Sequence, residues 1–129
     1  MKVPMTDAQA EAVITRSGGL CEVCGKGAEQ IHHRRARGMG GTSRHDVHAA
    51  PSLLHVCRSC HTWIEHNLAE ARDYGWSVSI HEPDPDTIPA LVWGRWVWLY
   101  DDGAVVPCSV ATLRRMDLED LHYDTEDRI

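Results

Sequence analysis

The residues best able to do chemistry are two cysteine pairs, Cys21-x-x-Cys24 and Cys57-x-x-Cys60. Between them lies a double histidine, His32-His33, and His61 directly follows the last cysteine. The pairs are separated by 32 residues, 25–56. Thiolates are soft donors, and two clips of this form converge on one tetrahedral ion. The spacing predicts a structural Zn²⁺ held by Cys21, Cys24, Cys57 and Cys60. Such a site is coordinatively closed, so it has no use for the histidines. Adjacent residues of a strand point to opposite faces, so His32 and His33 cannot share one task; one can face a metal while the other faces a substrate. At about 100° per residue of helix, Glu65 falls within about 40° of His61 and His66 about 140° away, which makes Glu65 the better-placed third ligand beside His61. His66 is the more tempting by residue type.

These groups suit phosphodiester hydrolysis. A histidine of ordinary pKa can take a proton from water near neutral pH, and one divalent ion can polarise a phosphate and stabilise a departing alkoxide. Arg34, Arg35 and Arg37 follow the histidine pair at once and carry guanidinium groups suited to bidentate contacts with DNA phosphate. Gly38, Gly40 and Gly41 let backbone approach a strand closely.

The elements that must position these residues are read in chain order. Thr6 is an N-cap with Gln9 at the capping-box position, and the helix it starts stops at Gly18-Gly19. The first clip is a tight knuckle closed by Gly25. Residues 29–33 read as a short strand and 34–51 as loop. Leu53 to Val56 enters the second clip, and a helix is predicted from about Ser59 to Tyr74, with Ile64 and Leu68 on its apolar stripe and Gly75 ending it. Trp76 to Ile80 reads as a short strand and 81–89 as a proline-rich linker. Leu91 to Tyr100 reads as one tryptophan-heavy strand, expected to be buried or in an oligomer contact. Asp102-Gly103 turns it into 104–108, and 109–121 is a weak helix. Cys108 has no partner clip and reads as a small buried residue of a late strand.

The order C-x2-C, HH, GG, C-x2-C-H resembles the HNH nucleases in their four-cysteine, zinc-stabilised form, over about Cys21 to Asn67. The stretch through Gly75 also resembles small HNH proteins of phages and prophages. The elements read above give an α+β fold with an N-terminal helix and a C-terminal β-hairpin appendage, divided into a nuclease core, residues 1–80, and a β-rich extension, 81–129. Within the core the resemblance implies a ββα-metal unit clasped by the four-cysteine zinc site. It implies metal-dependent hydrolysis of DNA, with His33 as general base and His32, His61 and Glu65 on one catalytic divalent cation (Mg²⁺, Mn²⁺, Ni²⁺ or Zn²⁺). Ser52 stands where the family has its middle Asn, and a hydroxyl replaces an amide there. The implied partners are DNA and phage packaging or replication proteins. The other reading of the same residues is a non-catalytic zinc module that binds nucleic acid or a partner protein.

Bulk properties bound these readings. A chain of 129 residues is one domain of ordinary size. It has no apolar run long enough to span a bilayer and no secretory leader, so a cytoplasmic location and no membrane partner are expected, with reduced thiols. The net charge is −6. Residues 1–60 hold eight Lys/Arg against five Asp/Glu, a balance of +3, and residues 61–129 hold five against fourteen, a balance of −9. The basic excess thus surrounds the cysteines and histidines, where a polyanion would feel it.

Overall fold

The computed structural model describes residues 5–35, 48–79, 81 and 85–119. Helix α1 spans Asp7–Ser17. Its start is the expected capping box: Gln9 N–H donates to Thr6 Oγ1 (3.1 Å), and Thr6 N–H donates to Gln9 Oε1 (2.9 Å). Gly18, at φ 65°, ends it in the left-handed conformation.

Strands β1 (Gln30–His33) and β2 (Leu53–Val56) form an antiparallel pair in the register Gln30 opposite Val56 and His33 opposite Leu53. Helix α2 (Arg58–His66) follows β2 after one residue. The hairpin-then-helix order is therefore present. The single long helix expected to Tyr74 is not: Asn67 leaves helical geometry at φ −138° and α3 (Leu68–Asp73) starts anew. The Asn67 side chain donates back to the Trp63 carbonyl (2.8 Å), the local bonding by which asparagine competes with helix continuation.

Beyond the core the expected β-hairpin appendage is corrected. Strands β3 (Ala90–Val92), β4 (Arg95–Leu99) and β5 (Val105–Pro107) form a three-stranded antiparallel sheet, and the chain then turns into helix α4 (Val110–Arg115) as its last described element. The single strand read over 91–100 is split by a turn at Trp93-Gly94. Of the strand expected over 76–80, the described residues 76–79 show only an isolated bridge from Val78 to Arg35, and Ile80 lies outside the described residues. β5 is an exposed edge, and Pro107, which has no N–H to offer, blunts it against further pairing. Ser109 caps α4, accepting from Thr112 N–H (3.1 Å), yet no α4 residue is buried.

One apolar cluster joins these parts. It runs from Cys21 and Val23 through Leu54, Val56, Cys60 and Ile64 to Ala71 and Trp76, then on to Ala90, Val92, Val97 and Leu99. Residues from either side of position 80 thus share one interior. A smaller cluster under α1 comprises Val13, Ala50 and Leu53.

Two buried arginines tie the interior together. Arg16 forms a bidentate pair with Glu22 (2.8 and 2.9 Å), both side chains being 1% exposed. Arg16 also donates to the carbonyls of Ala50 (2.8 Å) and Leu53 (2.7 Å), and Glu22 Oε1 accepts from His55 N–H (2.8 Å). Arg34 is 1% exposed and donates only to backbone carbonyls: Gly75 and Pro51 (2.7 Å each), Ile88 (2.8 Å), Pro85 (3.1 Å) and Pro89 (3.5 Å). It staples β1 to the segments before β2 and β3. Burial, followed by the charge of Arg16, pushes it down to about 9, so it remains a cation at neutral pH.

Candidate metal centre

The first clip folds as a knuckle because Gly25 N–H returns to the Cys21 carbonyl (2.8 Å) while Cys24 N–H points at Cys21 Sγ (3.5 Å). The second clip repeats that N–H to sulfur contact at a helix start. Cys57 is the N-cap of α2, and its sulfur accepts from Cys60 N–H (3.4 Å). The hairpin brings the two clips together, and Glu22 N–H donates to the His55 carbonyl (2.8 Å), sewing the first knuckle to β2. All four sulfurs then lie within 4.8 Å of one another. Cys24 Sγ and Cys57 Sγ are 3.8 Å apart. A tetrahedron with metal–sulfur bonds of about 2.3 Å has edges of about 3.8 Å, so the spacing fits one ion.

The electrostatics differ between the sulfurs. The Cys60 side chain, assisted by the Cys24, Cys57 and Val23 backbone groups and opposed by burial, holds the Cys21 thiol down to about 4. Burial pushes Cys24 up. Cys57 sits at the N-terminal, positive end of the α2 dipole. This cluster is the part of the expected site that the structure assembles.

The histidines gather in one place but form no metal-holding group among the described residues. His32, His33, His61 and Glu65 do line one cleft of about 630 Å³, together with Arg34, Arg72, Ser77 and Ser79. One ring nitrogen each of His32 and His33, and both of His61, meet protein groups. His32 is 6% exposed, and its Nε2 lies 2.7 Å from the Trp76 carbonyl, an acceptor only, so that nitrogen carries the proton and is not a ligand. Burial holds His32 down to about 4, so the ring is neutral. His61 places Nδ1 2.7 Å from Gln30 Oε1 and Nε2 2.9 Å from Glu65 Oε1. Glu65 is thus next to His61, as the helical geometry predicted, but as a hydrogen-bond partner. His33 Nε2 contacts His48 Nδ1 at 3.0 Å, and the ring centroids are 5.1 Å apart.

Among the described residues the four cysteines are the group of three or more His, Cys, Asp or Glu that could hold a metal. A separate catalytic cation on His32, His61 and Glu65 has no support. The expectation of a His-centred, DNA-hydrolysing HNH enzyme is therefore corrected: the metal cluster present is all-cysteine and buried, and offers no open position for a substrate or water. The nuclease and phage setting implied by that resemblance falls with it. Ser52 does not line the cleft. It is buried in the turn before β2, and its carbonyl accepts from Arg34 N–H (2.7 Å). Arg34 and Arg35 are interior residues instead of phosphate contacts. Arg37 lies outside the described residues.

Sequence reasoning missed the Arg16–Glu22 pair. Its signal was available: a carboxylate between two clip cysteines sits beside thiolates and needs a cation close by. Among the described residues no helix is long and apolar enough to cross a membrane. No protein-family model, curated protein or solved structure matches this chain.

Proposed function

We propose that this chain is a non-catalytic zinc module that binds nucleic acid. The observation that carries the reading is the buried four-sulfur cluster at tetrahedral spacing. A closed all-thiolate set is the donor chemistry of structural Zn²⁺, and such an ion supplies folding free energy instead of catalysis. Cys21, Cys24, Cys57 and Cys60 would hold it. The basic balance of residues 1–60 supports a polyanionic partner. A partner protein is the second reading, favoured by the exposed Val105, Val106, Val110 and Met116 of β5, α4 and its end.

The test is a fluorescence anisotropy titration of labelled oligonucleotides against the zinc-loaded chain over a range of salt, alongside a plasmid-nicking assay with Mg²⁺, Mn²⁺ and Ni²⁺. Salt-sensitive binding without nicking is expected. Nicking that His33→Ala removes would contradict the non-catalytic reading. No binding to any oligonucleotide would hand the function to a protein partner.

A further inference from the structure

The turn of the β3–β4 hairpin is Trp93-Gly94, enclosed by the pair Val92 and Arg95. Both turn residues have positive φ, 51° and 78°. Two-residue turns of this hand favour Asn-Gly, and a bulky side chain there is an outlier. A tryptophan held in such a conformation points to a use for its ring, because the turn alone would be better served by another residue.

The ring does not fill the core. Trp93 is 48% exposed. Its indole Nε1 donates to the Cys21 carbonyl (2.7 Å), and its backbone N–H donates to the Glu22 carbonyl (3.3 Å). The indole is therefore pinned by its N–H edge to the first cysteine knuckle, with much of its surface in solvent. Two exposed cations belong to the segments that meet at the indole. Lys26 is exposed on that same knuckle, where its carbonyl accepts from Cys21 N–H, and Arg95 is exposed two residues beyond Trp93. Among the described residues no carboxylate pairs with either.

We propose that Trp93 is a stacking site for an unpaired base of single-stranded nucleic acid, with Lys26 and Arg95 meeting the adjoining phosphates. A pinned, half-exposed aromatic ring with exposed cations on the adjoining segments suits a base on its face and phosphates nearby. The inference rests on the nucleic-acid reading above and names its surface. The cations favour a strand over an apolar peptide.

The experiment uses the zinc-loaded full chain, labelled oligouridine and a labelled duplex, read by anisotropy. Trp93→Asn keeps a residue that accepts the turn, and Trp93→Tyr keeps a ring. Trp93→Asn is expected to weaken oligouridine binding about 10-fold or more, whereas Trp93→Tyr stays within about threefold. The double variant Lys26→Gln, Arg95→Gln is expected to flatten the salt dependence by about 1.4 in log–log slope, from about 0.7 per phosphate contact on a single strand. Zinc content and melting temperature check that each variant is folded, and the double variant decides the matter if Trp93→Asn is not. Oligouridine binding unchanged by these substitutions would overturn the site and leave the nucleic-acid reading standing. Preference for the duplex would also overturn the site. Binding to neither probe would overturn both and point to a protein partner.

Discussion

Removing the carboxylate of Glu22 tests the interior most sharply. In Glu22→Gln the Arg16 guanidinium stays buried but loses its counter-charge and two charge-assisted bonds, while its bonds to the Ala50 and Leu53 carbonyls remain. Each charge-assisted bond is worth about 1.5–3 kcal/mol, and breaking one side of a buried ion pair costs about 3–5 kcal/mol, so about 4 kcal/mol is expected. For a chain of this size that corresponds to a fall in Tm of about 15 °C. Arg16→Met should cost a similar amount, because it leaves the Glu22 carboxylate with only the His55 N–H. The double variant Arg16→Met, Glu22→Leu should recover much of the loss, since well-packed apolar groups can replace a buried pair at little net cost. Thermal and urea unfolding of the zinc-loaded proteins form a double-mutant cycle. Single variants that melt within about 3 °C of the parent, or a double variant whose loss is the sum of the singles, would refute the reasoning.

Other consequences follow from named contacts. A strong chelator should unfold the protein, because structural zinc contributes about 10–16 kcal/mol, more than most domains have in total; circular dichroism unchanged after complete metal removal would deny that role. His32 has its folded pKa held near 4, below its unfolded value near 6.5, so the unfolded chain binds the extra proton first as pH falls. Its contribution is complete above about pH 6.5 and is lost between there and about pH 4, by about 3 kcal/mol in all; urea midpoints across this window should slope in the parent and be flatter in His32→Gln. Gly75→Ala should cost at least about 2 kcal/mol, since φ is +73° and a Cβ would collide with the Pro89 carbonyl; a urea midpoint equal to the parent's would contradict the close approach.

How much was legible in the sequence differs by residue type. The Thr6–Gln9 capping box and the cysteine clips are local patterns, in which partner and geometry lie within a few positions, and the structure reproduces them. The hairpin of β1 and β2 followed by a helix was legible for a related reason: the clips at either end dictate which segments meet. The break at Asn67 was not, since no glycine or proline marks it. At Trp93-Gly94 the glycine was there to be read, but the tryptophan before it has the β propensity of its neighbours and hides the turn. Arg34 shows the deeper limit. Its partners are carbonyls at positions 51, 75, 85, 88 and 89, and no local pattern announces a guanidinium turned inward onto backbone. The partners of the histidines were not legible either, because residue type names what a ring nitrogen could do and not that it meets the Trp76 carbonyl, the Gln30 amide or His48.

The central claim is a single closed four-sulfur metal site with no second ion on the histidines. X-ray absorption at the zinc edge, together with the metal count per chain of protein purified without added metal, tests it directly. The account predicts one zinc per chain with four sulfur neighbours at about 2.3 Å. Nitrogen or oxygen in the first coordination shell, or a second ion per chain that is lost in His61→Ala, would contradict it.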